Sequence, residues 1–462
     1  MVQSVFSSRA EGLAPPRWPS GFERMSPVSA QPGSQQAGAA QHTAGRPKCI
    51  TSLFGLIGPG LLVAATGVGA GDLATAAFSG SAIGLGILWA VVVGAAMKFV
   101  VTEGIARWQV ATGTPVLERG LDRLGPIAKA LFGAYLVPWC FFVGAALISA
   151  TGTAAHALVP IVDEPERGKL IWGVGHALVG AALVLAGGFK LFERSMAVCI
   201  GVMFLSVTVT AVMLRPDWAG IARGLFVPLI PATDSGEGLT WTVALIGGVG
   251  GTLTVLCYGY WMAEHAERRD APSMSAARID LTVGYAMTAV FGVAMVVIGS
   301  TIPATGSGAG LIADLGTRVG EATGPIGRII FLIGAWAAMV SSLLGVWQCV
   351  PMLGVAWLDT LRRDTKPPSP MPKRRAYVVW LALLATIPML GLFLDFRNVQ
   401  KYYAVFGATF VPLLAIALLV LNGRKSWVGA HRNGWLATAG LVLCIAFFGI
   451  AAVLEFQRRF AG

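Results

Sequence analysis

Thr66-Gly67-Val68-Gly69-Ala70-Gly71-Asp72 lies in the middle of the first long apolar segment, which runs from about residue 53 to residue 80. Each of its glycines costs a helix roughly 1 kcal/mol relative to alanine. Asp72 then places a carboxylate where the flanking sequence calls for hydrocarbon. An acid at bilayer depth is tolerated when it pairs with a cation or lines a wet cavity. A glycine-broken membrane helix with an acid at the break is the expected build of a cation site in a secondary transporter. The competing reading is a glycine-rich packing face whose Asp bonds a neighbouring helix.

The rest of the chain supplies the membrane. Its 462 residues are 55% hydrophobic and 12% charged, with mean hydropathy +0.70, whereas soluble domains carry about 25% charge. Apolar runs of roughly 20 residues recur, the length needed to cross a bilayer. The net charge of +11 does not point to nucleic acid, because Lys and Arg concentrate in short loops, where the positive-inside rule places them. No phosphate-binding loop, nucleophile elbow or paired His-Glu zinc pattern occurs, so neither an enzyme nor a bound cofactor is expected.

Residues 1–48, rich in Ser, Gln, Ala, Gly and Pro, read as a disordered cytoplasmic tail. From 49 to 462 we expect an all-α polytopic membrane domain of about eleven spanning helices. The segments are near 53–80, 84–107, 127–150, 170–187, 196–214, 239–262, 281–302, 326–357, 377–394, 403–421 and 435–454. With the N-terminus inside, the cytoplasmic loops hold 18 Lys and Arg and the opposite loops 8. That asymmetry predicts a multi-pass inner-membrane protein with a cytoplasmic N-terminus.

The sixth segment is also interrupted, at Gly247-Gly248-Val249-Gly250-Gly251. Breaks in segments one and six are the arrangement of a five-plus-five inverted repeat, whose equivalent broken helices frame the substrate near the midplane. The halves would be 49–238 and 239–422, with 423–462 an additional C-terminal helix. Unwound backbone frees carbonyl oxygens, tolerated in lipid only where a cavity or ion satisfies them. Asp72 with carbonyls near Gly69 and at the second break would form an oxygen-rich pocket suited to Mg²⁺, Mn²⁺ or Fe²⁺. Thr254, Cys257 and Tyr258 follow the second break and are further candidate ligands.

Other polar residues read more plainly. Lys98 and Glu103 are expected to snorkel or pair near the inner surface. His156 and His176 are expected to be structural, and Ser341-Ser342 to bond between helices. All six cysteines but Cys49 fall in apolar segments, with no spacing of a disulfide framework or zinc site. Glu264 and His265 read as a solvated helix end.

These residues resemble the natural resistance-associated macrophage protein (Nramp) family of divalent metal transporters. The likeness starts at Gly58-Pro59-Gly60-Leu61-Leu62-Val63-Ala64. It continues through Gly71-Asp72-Leu73-Ala74-Thr75, Leu88-Trp89, Val110-Ala111-Thr112-Gly113, Ser341-Ser342-Leu343-Leu344-Gly345 and Val411-Pro412-Leu413-Leu414. It implies the leucine-transporter-type inverted repeat and transport of a divalent metal ion across the membrane. Two motifs depart from the family. Its first-helix Asp-Pro-Gly-Asn reads Gly69-Ala70-Gly71-Asp72 here, and near its sixth-helix Met-Pro-His stands Val255-Leu256-Cys257. The thioether that favours transition metals is therefore absent, and the third segment lacks the acids of proton-coupled members. The chain looks like a divergent branch similar to the family's magnesium-transporting members. An ion-coupled carrier of a small organic solute and a non-transporting membrane sensor are the alternatives, and protein partners are not legible.

Overall fold

The structure, a computed structural model, describes residues 58–229, 238–267, 273–302, 310–362, 374–394 and 396–460. The expected tail at 1–48 lies outside them. The helices in chain order are α1 (Pro59–Gly67), α2 (Ala70–Ile83), α3 (Leu88–Thr112), α4 (Val116–Leu124), α5 (Pro126–Leu158), α6 (Pro165–Met213), α7 (Trp218–Phe226) and α8 (Gly238–Gly248). They continue as α9 (Cys257–Ala266), α10 (Met274–Thr301), α11 (Gly310–Thr323), α12 (Pro325–Arg362), α13 (Arg375–Thr386), α14 (Phe396–Gly423), α15 (Lys425–Val428) and α16 (Trp435–Phe460). Proline opens α1, α5 and α6. There its fixed φ suits the first turn and its missing N–H would have had no helical partner.

Among the described residues, seven helices are long and apolar enough to cross a membrane, or up to eight if a bent pair counts as one span. The eleven expected segments all fall on helices, but not one to one. The fourth and fifth lie in α6, a single run of 49 residues. At 1.5 Å per residue such a helix would reach about 73 Å, more than twice the hydrocarbon thickness. It bends instead at Gly188, whose φ of 60° and ψ of −177° leave the helical region. Glycine takes that conformation without the Cβ clash other residues meet. The first segment is divided into α1 and α2, and the sixth into α8, a 3₁₀ turn over Leu253–Leu256, and α9.

α12 is the axis of the bundle, packing against α1, α5, α6, α11 and α13. From Ser341 to Ala356 every residue is buried, so this helix is enclosed all round rather than on one stripe. α1 and α2 pack along α10 through glycine. A Cβ added at Gly80 would lie 2.1 Å from the Val296 carbonyl oxygen, and one at Gly299 would lie 2.0 Å from that of Ala77. Backbone therefore touches backbone along this seam. In lipid, where no hydrophobic force drives helices together, such close approach is what holds them.

Gly80→Ala should consequently force the seam apart, at a cost of about 1–3 kcal/mol. Gly201→Ala is the control, because a Cβ on that exposed glycine of α6 meets nothing within 4 Å. Thermal melting of the purified proteins should show a lowered midpoint for the first and none for the second.

Candidate cation site

The first break is two residues long. α1 stops at Gly67, Val68 is non-helical, and Gly69 is the extended N-cap of α2, with φ −125° and ψ −160°. Asp72 is the third residue of α2. Its Oδ2 accepts the Gly69 backbone N–H at 3.3 Å, and a negative group in a first helical turn is favoured by the peptide dipoles. The Asp72 side chain is half-buried, and its Oδ1 takes no hydrogen bond from the described residues. The Gly69 carbonyl already accepts from Leu73 N–H at 3.1 Å. It has a second lone pair to offer a cation.

Unwinding leaves the last carbonyls of α1 without helical partners, and α12 supplies them. Ser342 Oγ donates to Thr66 O at 2.8 Å, the interhelical bond expected of it. Ser341 Oγ donates to Ala338 O of its own helix at 2.9 Å, with Ala65 O of α1 farther off at 3.4 Å. Gly69 lies beneath the Ser342 side chain, since a Cβ there would be 2.7 Å from Ser342 Oγ.

The second break adjoins the first. α8 ends at Gly248, and Gly250 and Gly251 adopt φ of 83° and 78°, a region costing other residues roughly 1–2 kcal/mol. A Cβ at Gly67 would sit 2.6 Å from the Gly250 carbonyl carbon, so the two unwound backbones are in contact. Gly248 faces Thr75 of α2, one turn beyond Asp72, with its notional Cβ 3.6 Å from Thr75 Cγ2.

Lys98 corrects the sequence reading. It does not snorkel: its side chain is completely buried. Its Nζ donates to Gly247 O at 3.2 Å and, more closely, to Gly251 O. The carbonyls freed at the second break are thus served by an ammonium from α3. The cause is geometric. Gly94, one turn earlier on α3, lets that helix approach until a Cβ would be 2.8 Å from Ile246 O. The lysine stem then runs directly along Gly250. Asp72 acts on Lys98 through space, without a direct ion pair among the described residues.

The remaining candidates divide. Thr254 is buried in the 3₁₀ turn, its Oγ1 2.5 Å from where a Gly251 Cβ would be, and so stands over the break. Cys257 pairs with Cys349 of α12, the Cα atoms 5.7 Å apart. A disulfide sulfur is not the thiolate that binds metal, so paired Cys257 offers no such ligand. The 92 residues between the two cysteines hid this pairing. Tyr258 turns away to α10, where its hydroxyl donates to Asp280 Oδ2 at 3.2 Å. The same Asp280 oxygen accepts Gly60 N–H of α1 at 2.7 Å. Among the described residues no three His, Cys, Asp or Glu gather into a metal-ligand group. Of the sequence candidates, the structure brings Asp72 and Gly69 together, and Thr254 stands over the second break, whose backbone touches the first at Gly67.

Further charged groups, of which the sequence reading named Glu103 alone, are paired. Glu103 pairs with Arg107 at 2.5 Å and with Arg278 at 2.9 Å, and Asp359 pairs with Arg374 at 2.5 Å. Nearby, Glu118 of α4 is pushed from the ordinary glutamate value of 4.5 up to about 7, first by burial and then by the Asp359 charge, against Arg119 and Arg374. Its sequence, Val-Leu-Glu-Arg in a short polar helix, carries no sign of that burial. His176 is structural as expected, bonded to Trp172 O at 2.7 Å and Trp336 Nε1 at 3.1 Å.

The family model described as natural resistance-associated macrophage protein-like matches residues 60–456. A protein of Chromohalobacter salexigens named divalent metal cation transporter MntH is 25% identical over 446 residues, covering 91% of this chain and 95% of that one. A Pectobacterium carotovorum protein of the same name is 25% identical over 279 residues, covering 57% and 61%. Among solved structures, a variant of the Eremococcus coleocola manganese transporter superposes with TM-score 0.71 at 15% identity, covering 91% and 90% of the two chains. MhsT in complex with L-phenylalanine superposes at 0.57 with 15% identity, covering 87% and 98%. The fold is shared with both.

Two outcomes follow from the geometry. Ser342→Ala leaves the buried Thr66 carbonyl without its donor and should destabilise the protein by about 1–3 kcal/mol, read as a lowered melting midpoint. Glu118 holds its proton more tightly folded than unfolded, so its share of the stability is complete below pH 4.5 and declines as pH rises towards about 7. Melting followed across that window should show the decline, and Glu118→Gln should flatten it.

Proposed function

Since the chain belongs to the natural resistance-associated macrophage protein-like family, we propose that it is a secondary transporter carrying a hard divalent cation inward by alternating access. Named relatives are divalent metal cation transporters. The observation that carries the reading is Asp72: a carboxylate at a helix break, one oxygen fastened to Gly69 N–H and the other without a hydrogen bond from the described residues. One carboxylate is a weak divalent site unless the ion keeps much of its water. Mg²⁺ is commonly held that way, through one or two carboxylates and retained water molecules. The Gly69 carbonyl and the backbone around Thr254 would complete the shell. No thioether or free thiolate is present at the break to favour Mn²⁺ or Fe²⁺. The loop charges support an inner-membrane location with the N-terminus inside.

A second reading has one observation in its favour. Asp72 and Lys98, an acid and an amine that act on each other through space, stand beside a half-helix N-terminus, an arrangement that also suits a zwitterionic solute. The fold likeness to a protein solved with L-phenylalanine is compatible with it. Melting shifts with metals and with amino acids separate the two. Flux separates either from a sensor, which binds without transport.

Uptake by purified protein in liposomes tests the main reading, with Mg²⁺, Mn²⁺ and Ca²⁺ in turn, with and without a pH gradient. Mg²⁺ should enter at a rate comparable to Mn²⁺, and Asp72→Ala should abolish uptake of both. Undiminished uptake by that variant would remove Asp72 from the site, and uptake of Mn²⁺ alone would refute a hard-ion site.

A further inference from the structure

Lys98 has no role in the divalent-cation scheme above, yet it is completely buried. An ammonium at bilayer depth costs about 3 kcal/mol or more, and a methionine would fill the same volume without that cost. The chain keeps it and builds for it. Gly94 brings α3 against α8, and Gly250 leaves room for the stem, a Cβ there being 3.4 Å from Lys98 Cγ and 3.1 Å from the Tyr285 ring. Two carbonyls of the unwound sixth segment, Gly247 O and Gly251 O, point at Nζ. Gly251 stands at φ 78°, which turns its peptide out of the helical direction. Carbonyls from a discontinuous helix are what such transporters use to coordinate a monovalent coupling ion. Here the cation is covalently attached. Around it stand Asp72 of α2 and the Cys444 thiol of α16, both of which act on it through space. Tyr285 of α10 is bonded to Thr102 at 2.7 Å.

We propose that the Lys98 ammonium is a tethered resident cation: it fills a monovalent-cation seat formed by Gly247 O and Gly251 O, so that the seat needs no Na⁺, K⁺ or ammonium from solution. Removing the tether opens a site for a small monovalent cation. The proposal goes beyond the assignment of cargo and does not require that the cargo be a divalent metal.

The test uses the full chain in lipid nanodiscs, melted in choline chloride and in equal concentrations of Na⁺, K⁺, ammonium or methylammonium chloride. The wild type should melt alike in all of them. Lys98→Ala should melt lower in choline and recover, saturably with concentration, in at least one small cation, as a ligand that binds only the folded state requires. Lys98→Arg should behave as wild type. Lys98→Met fills the volume without charge, and it should be destabilised. A Lys98→Met protein as stable as wild type would reduce the residue to packing. Lys98→Ala indifferent to every cation would overturn the seat. Should neither variant purify, the wild type decides: a melting point or solute flux that needs Na⁺ or K⁺ would show that Lys98 does not occupy the seat. None of the melting measurements contains a divalent ion, so loss of metal uptake elsewhere leaves this result standing.

Discussion

Unwound backbone inside a lipid bilayer must find hydrogen-bond partners within the protein, because no water is there to provide them. Two helices of this protein are interrupted side by side, and the bundle is arranged to meet that demand. α12 brings Ser342 to the Thr66 carbonyl at the end of α1. α3 brings Lys98 to the carbonyls at the end of α8. Asp72 accepts the backbone N–H that opens α2. Among the described residues at the breaks, one Asp72 carboxylate oxygen, the buried Thr252 hydroxyl and the spare lone pairs of the carbonyls remain unclaimed. That unsatisfied capacity is where the proposed function seats its cargo.

The electrostatics follow from the same parts. A lone acid in hydrocarbon attracts any cation, whereas an acid with a fixed ammonium nearby discriminates. On the reading proposed above, an incoming ion would be weighed against a charge already present, at a distance set by helix packing, and would meet Asp72 as a hydrated guest rather than as the missing half of an ion pair.

Much of this was legible in the residues. Glycine runs in segments one and six mark helices that cannot continue, and both breaks are found at those runs, between Gly67 and Ala70 and between Gly248 and Leu253. Of the serine pair in α12, Ser342 bonds between helices while Ser341 bonds chiefly to its own. What stayed hidden depends on contacts between distant parts of the chain. A lysine in an apolar segment looks the same whether it reaches for the interface or for a neighbouring backbone; only the approach of α3 to α8 at Gly94 decides it. Cys257 and Cys349 belong to different helices, and no local spacing announces a pairing across α9 and α12. Gly188 shows the opposite limit. The sequence reading placed two segments at 170–187 and 196–214, but did not show that they form one helical run kinked at a single residue.

Asp280 fastens two elements with one oxygen. It takes the N–H of Gly60 at the start of α1 and the hydroxyl of Tyr258 in α9, the terminal portions of the two interrupted helices. Movement of either portion away from α10 would have to break its bond to that oxygen, and would leave the other held by a carboxylate newly short of a donor. The two interrupted helices are thus coupled through one side chain on α10, a helix that belongs to neither.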